Sequence, residues 1–337
     1  MKQTIGNALP AVGLEEHYAS PTFWEGPGRS MKEMYTKAAS LIPSYANIVG
    51  NLTDLGEKRI AAMDAAGIEM QVLSLTAPGV QQLNETDAVN LTREANDYAA
   101  NAVKRYPKRL AAFATLPTVA PDIAANELEK RVQADGFIGG IINGHSSGRY
   151  LDDKFFWPIL ERAEFLRVPL YIHPTIPPKP VIDAYYSGFL PQVTNNFSAA
   201  AWGWHIETAV HVLRLILGGV FDQFPNLQVI IGHLGEALPF MMPRLDDTMP
   251  VEGTKLNRSV GSYLRENLYY TFSGFTYIPP FLDLFLQVGS DRIIFSTDYP
   301  FSPMDKSRTF LDNLPVSIAD KHRMAHSNAE RLLKIEL

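Results

Sequence analysis

Five short apolar runs are each followed by side chains that bind cations or move protons. Glu15 and His17 follow Ala11-Val12-Gly13-Leu14. Asn143 and then His145 follow Phe137 to Ile142, His173 follows Val168 to Ile172, His233 follows Leu227 to Ile231, and Asp298 follows Arg292 to Ser296. A carboxylate and an imidazole two residues apart point the same way on an extended strand. Glu15 and His17 therefore make half of a divalent-metal site, which His173 and Asp298 would complete. Mixed nitrogen and oxygen donors suit Zn²⁺ or Mn²⁺, and suit Mg²⁺ less because of the imidazoles. Each residue alone has a plainer reading. Glu15 can be an exposed strand end, and His173, before Pro174, a turn residue. His233 in Gly232-His233-Leu234-Gly235-Glu236 can help cap a helix whose start favours the Glu236 charge. Asp298 in Ser296-Thr297-Asp298-Tyr299-Pro300 can itself be a helix cap. Unrelated caps do not explain why all of them fall at strand ends.

The elements that must position these groups are eight apolar runs, read as parallel strands buried on both faces. Besides the five above they are Met70 to Leu75, Leu110 to Ala114 and Leu268 to Phe272. Amphipathic stretches lie between them. One starts at Thr53 or Asp54 and stops near Gly67; another runs from Thr86 or Asp87 to Tyr106 before Pro107. Pro121-Asp122 opens a third that ends at Asp135-Gly136, Asp152 or Asp153 opens a fourth through Phe165, and a long one covers about Ala200 to Leu217. Eight strands alternating with helices give a (β/α)8 TIM barrel or a doubly wound sheet. In a barrel all strand carboxyl ends meet on one face, which carries the active site. A long insert, Ser20 to Leu52, follows the first strand, and Thr175 to Ser198 reads as a second long loop. No repeat or linker divides the chain, so residues 1–337 are expected to form one domain. His205, His211, His322 and His326 fall in helices or their starts and read as surface or packing residues, His205 being the readiest exception.

Composition narrows the function. The chain of 337 residues has no Cys, which removes disulfides, thiolate zinc sites and Cys nucleophiles, and it suits a reducing compartment. A net charge of -6 without a basic cluster argues against nucleic acid as a partner. No run approaches the roughly 18 apolar residues of a membrane span. Lys2, Gln3, Asn7 and Pro10 lead straight to Glu15-Glu16-His17, unlike a signal peptide. The expected location is the cytoplasm.

Taken together, Leu14-Glu15-Glu16-His17, Ile172-His173-Pro174, Gly232-His233-Leu234-Gly235-Glu236-Ala237-Leu238-Pro239 and Ser296-Thr297-Asp298-Tyr299-Pro300 resemble the amidohydrolase superfamily. Within it they resemble the nonoxidative aromatic-acid decarboxylases related to aminocarboxymuconate-semialdehyde decarboxylase. Asn143-Gly144-His145 through Gly148-Arg149-Tyr150-Leu151-Asp152 is most similar to the carboxyvanillate branch, and Glu15-x-His17 to the resorcylate and pyrocatechuate branches. The resemblance implies an amidohydrolase-like barrel in which Glu15, His17, His173 and Asp298 hold one divalent ion. It implies that His233 and Glu236 form an acid-base and orienting pair and that Asn143 lines the pocket. It also implies that Arg244 reaches a neighbouring subunit's pocket, hence a homo-oligomer, a dimer or tetramer. Arg244 can instead form a helix-surface salt bridge with Asp246 or Asp247. Trp204 and Tyr299 stand where the family often has Phe and Trp, which bears on the substrate. Phe23, Trp24, Phe197, Trp204 and Tyr299 are candidate walls for an aromatic ring, or core residues.

The expected reaction is loss of CO₂ from a hydroxylated benzoate, with Asp298 protonating the ring carbon and His233 and Glu236 assisting. One alternative is a metal-dependent lactonase or amidase that activates water with the same groups. The other is a noncatalytic small-molecule-binding barrel.

Overall fold

The computed structural model describes residues 9–39 and 45–336. Residues 1–8, read above as no signal peptide, and part of the insert after the first strand lie outside the described residues. Nine parallel strand segments run β1 (Val12–Tyr18), β2 (Met70–Leu75), β3 (Leu110–Ala112), β4 (Ala114–Thr115), β5 (Gly140–Asn143), β6 (Leu170–His173), β7 (Val229–Ile231), β8 (Leu268–Thr271) and β9 (Ile293–Ile294). They pair in sequence order, β1 to β3 and β4 to β9. Phe113 N–H donates to Leu73 O at 3.0 Å and Ala114 N–H to Gly139 O at 2.8 Å, so β3 and β4 are one strand interrupted at Phe113. Leu14 N–H donates to Phe295 O at 3.1 Å and His17 N–H to Tyr299 O at 2.7 Å, which joins β1 to the chain after β9. Of the two folds that the alternation left open, the eight-stranded TIM barrel implied by the family resemblance is the fold.

Period-two alternation separates two apolar layers. Val12, Leu14, Met70, Val72, Phe113, Ile141, Tyr171, Ile230, Tyr269 and Ile294 fill the barrel interior. Their strand neighbours Leu73, Leu75, Ile142, Leu170, Ile172, Val229, Ile231, Leu268 and Tyr270 pack outward with the helices. This is why the strands read as continuous apolar runs.

The helical boundaries differ from the sequence reading where a nearer cap or turn competes. The helix expected from Thr53 or Asp54 starts instead at Glu57 and ends at Ala66, before Gly67; a separate helix, Ile48–Thr53, precedes it, and Asp54 between them accepts Arg59 N–H at 2.8 Å. Asn84, not Thr86 or Asp87, caps Glu85–Arg105. Asp153 caps a 3-10 turn, Lys154–Phe156, ahead of Trp157–Leu166. The long helix starts at Gly203 and ends at Leu217. The Ser20 to Leu52 insert includes helices Pro21–Glu25 and Arg29–Ala38, and the Thr175 to Ser198 loop carries helix Pro191–Ser198. Among the described residues no helix is long and apolar enough to cross a membrane.

Candidate active site

Glu15 stands on β1 at a bulge. Gly13 pairs with Gln71 and Glu16 with Leu73, so β1 spends three residues where β2 spends two, and Glu15 has φ 68°. Leu14 faces the barrel interior. In a regular strand Glu16 would be the next to face inward. The bulge shifts the parity, so Glu15 and His17 face inward and Glu16 outward. The two-residue spacing argument is therefore right about the shared face and incomplete about its cause.

Glu15 is fully buried, and its two oxygens have different surroundings. Oε2 accepts hydrogen bonds from Tyr171 Oη and Ser273 Oγ, and from Thr271 Oγ1 at 3.3 Å. Gly232 passes so close that a Cβ there would lie 2.7 Å from this oxygen, which excludes any larger residue. Oε1 is left without a hydrogen-bond partner and points at imidazoles: His173 Nε2 at 3.2 Å, His17 Nε2 at 3.9 Å and His233 Nε2 at 4.0 Å. Asp298 Oδ1 lies 3.1 Å from His17 Nε2. His173 Nδ1 contacts Pro174 O at 2.7 Å, which orients its Nε2 inward. Both ring nitrogens of His17 are buried without hydrogen-bond partners.

Burial opposes ionisation of Glu15, but His233, His173 and His17 hold its carboxyl well below the usual range. Burial, with His173 beside it, lowers His17 to about 3, so its ring is neutral and one nitrogen keeps a lone pair. An unpartnered carboxylate oxygen and a neutral, unpartnered imidazole nitrogen directed at one point are what a divalent cation takes up; left empty, they would be costly buried orphans. Glu15, His17 and His173 present donor atoms within 4.8 Å of one another.

A second cluster adjoins the first. His233 Nδ1 lies 2.7 Å from Glu236 Oε1, and His205 Nδ1 lies 2.5 Å from Glu236 Oε2. Against the effect of burial, Glu236 and Glu15 raise His233 to about 10. His233, Leu234, Glu236 and Ala237 all have positive φ, as do Glu15, Ser273 and Asp298. Left-handed backbone at so many non-glycine residues around one pocket is strain of the kind that functional sites concentrate.

Asn143, at the end of β5, is registered against His173; it is buried, and its Oδ1 has no partner. The Trp204 ring lies 6.4 Å from that of His173. The Tyr299 ring stacks against buried Arg59 at 4.8 Å. Phe23 and Trp24 are buried in the outer core, and Phe197 packs on Tyr186. Arg244 is exposed on helix Leu238–Thr248, and among the described residues it makes no ion pair with Asp246 or Asp247. His145 stays outside both clusters, accepting Gly148 N–H at 2.9 Å. His211 packs in the interior of its helix, whereas the reading of His205 as a surface or packing residue is corrected by its place on Glu236. Asp298 caps no helix: the next begins at Met304.

Sequence reasoning missed Tyr171, Thr271, Ser273, Phe275 and Phe301. Tyr171 precedes His173 by two on β6, Thr271 ends β8 and Ser273 follows it by two, so the strand-end rule extended to hydroxyls finds them. Phe275, 5.1 Å from His233, and Phe301, 5.4 Å from His17, carry no sequence signal.

The barrel and its rim of carboxylates and imidazoles define a metal-dependent enzyme of the TIM-barrel class. The chain belongs to the amidohydrolase family, whose model matches residues 51–335. It is 36% identical to γ-resorcylate decarboxylase of Polaromonas sp. (strain JS666), over 96% of this chain and 98% of that one. It superposes on the crystal structure of dihydroxybenzoic acid decarboxylase from Polaromonas sp. JS666 with bound manganese and the inhibitor 2-nitroresorcinol. The TM-score is 0.82 and the identity 34%, covering 96% of this chain and 97% of that one. The 5-carboxyvanillate decarboxylase of Novosphingobium aromaticivorans, complexed with manganese and 4-hydroxy-3-methoxy-5-nitrobenzoic acid, aligns with TM-score 0.86 and 33% identity over 96% of each chain.

Proposed function

We propose that this protein is a metal-dependent, nonoxidative decarboxylase of hydroxylated aromatic acids of the hydroxybenzoate type, with Glu15, His17, His173 and Asp298 as ligands of one divalent ion. The observation that carries it is the meeting of four side chains from β1, β6 and the loop after β9 around unpartnered Glu15 Oε1 and His17 Nε2. The donor set suits Mn²⁺ or Zn²⁺, and manganese is bound in the Polaromonas and Novosphingobium relatives. When bound, the ion supplies Lewis-acid stabilisation of the acid's oxygens.

The chemistry left to the chain is proton delivery. An aryl carbanion is too high in energy to form by direct loss of CO₂, so the ring carbon that bears the carboxylate is protonated first. Asp298 is the proposed proton donor: burial and the neighbouring Glu15 push its carboxyl well above the usual range, a bound cation would pull it down, and a bound substrate anion would raise it again. Its O–H bond breaks as a C–H bond forms; the C–C bond then breaks, its electron pair returns to the ring, and CO₂ leaves. His233, oriented by Glu236, faces this step as a cation and stabilises the anionic substrate. Asn143, Trp204 and Tyr299 form the proposed ring pocket; Phe23, expected there from the sequence, is buried in the outer core instead.

The working unit in this reading is a homo-oligomer, dimer or tetramer, in which exposed Arg244 reaches a neighbouring pocket. Exposed Phe240 and Met241 on the same helix support it, and light scattering tests it. The proposed location is the cytoplasm, in keeping with a cysteine-free chain.

The test is incubation of the manganese-loaded protein with a panel of hydroxybenzoates. CO₂ release is expected, and Asp298→Asn is expected to lower turnover by about 10² to 10⁴-fold while substrate still binds. Turnover of lactones with no CO₂ from any ring acid would overturn the lyase reading.

A further inference from the structure

His205 takes no part in the mechanism above, yet it is buried and tied to it on both sides of its ring. Its Nδ1 lies 2.5 Å from Glu236 Oε2, while the other oxygen of the same carboxylate lies 2.7 Å from His233 Nδ1. An ionised carboxylate only accepts, so both Nδ1 atoms carry protons. On the far side, His205 Nε2 lies 3.1 Å from Trp204 Nε1 and 3.0 Å from Ala200 O. An indole N–H only donates and a carbonyl only accepts, so these two contacts make opposite demands on Nε2, and it is the Glu236 carboxylate that fixes a proton on Nδ1.

Glu236 needs such a brace. It sits at φ 54° between Leu234 at 56° and Ala237 at 66°, outside any regular helix that would fix its side chain. Its side-chain hydrogen-bond partners among the described residues are the two imidazoles. Rotation of the carboxylate would release His233 Nδ1–H and turn His233 Nε2 away from the pocket.

We propose that His205 is a positioning residue for the decarboxylation: it locks the Glu236 carboxylate so that His233 presents Nε2 to the substrate, while Trp204 and Ala200 hold the far edge of its ring. This rests on the decarboxylase reading and deepens it. The chain Trp204, His205, Glu236, His233 runs from the pocket wall beside His173 to the reacting centre.

The experiment compares His205→Phe, His205→Asn and His205→Gln with the parent on a hydroxybenzoate that the parent decarboxylates, with kcat, KM and metal content read for each. Asn places an amide N–H where Nδ1 stood, and Gln places it where Nε2 stood. His205→Phe is expected to lose about 10- to 100-fold in kcat with little change in KM or metal content, and His205→Asn to recover most of that loss. Parent-like kcat in His205→Phe overturns the inference, and so does equal loss in the Phe and Asn variants. Should His205→Phe not fold, His205→Asn outperforming His205→Gln supports the inference and parity overturns it. An inactive parent defeats the decarboxylase reading and this inference together; an active parent with unaffected variants defeats this inference alone.

Discussion

Glu16 fastens the first strand to Thr297, the residue before Asp298. Its Oε1 accepts Thr297 N–H at 2.8 Å, and its Oε2 accepts Thr297 Oγ1–H at 2.5 Å and Tyr299 N–H at 3.3 Å. Gln71 Nε2 donates to the same carboxylate at 3.1 Å, and buried Arg59 donates to His17 O at 2.7 Å. One outward carboxylate thus sets the distance between the inward ligands Glu15, His17 and Asp298. Glu16→Ala leaves several buried donors unpaired. It is expected to destabilise the protein by about 2–5 kcal/mol and to weaken metal binding about 10- to 100-fold. Urea denaturation and metal titration check this; parent-like metal affinity in a folded variant contradicts it.

Tyr171 holds Glu15 Oε2 from below, together with Thr271 and Ser273. In Tyr171→Phe the ring is kept and the hydroxyl lost, so Glu15 is free to rotate. Metal affinity is expected to drop about tenfold with the barrel intact. His173→Ala removes a ligand outright, and elemental analysis of the purified variant is expected to find it depleted in metal. Full occupancy in both variants would count against this ligand set.

Removing the ion by chelation should abolish CO₂ release and lower the melting temperature, because binding to the folded state alone adds about 2.7 kcal/mol at a hundred times Kd. Adding Mn²⁺ back should restore both. A chelated protein of undiminished activity contradicts the metal dependence.

His211 supplies a pH test away from the metal site. Burial, then His145 and Arg214, lowers it to about 3, and its Nε2 accepts Leu151 N–H at 3.1 Å. The folded state therefore keeps His211 neutral, while the unfolded chain takes a proton below about pH 6.5. Its contribution is fully present above that pH and is lost as pH falls toward about 3, at about 1.4 kcal/mol per unit. His211→Gln keeps an acceptor for Leu151 and removes the titration. Its stability should decline less steeply than that of the parent between pH 6 and 4 in urea melts, and parallel declines would refute the assignment.

The sequence by itself determined the eight strands, their order and the residues at their carboxyl ends, because burial on both faces forces apolar runs and each run stops where polar chemistry begins. That is how Glu15, His17, His173, His233 and Asp298 were legible without coordinates. Helix starts were less so: Asn84 and Thr86 have similar capping chemistry, and packing chose between them. His205 stood out among the helical histidines, but its partner was hidden, because helical periodicity says nothing about a carboxylate thirty-one residues later on another element. The tertiary structure alone decided how Glu15, directly after inward Leu14, comes to face the interior with His17. Period-two alternation after Leu14 assigns that place to Glu16; pairing with β2 inserts a bulge, turns Glu15 inward and sends Glu16 to Thr297. A bulge is a property of two strands in register, and no single strand's residues encode it.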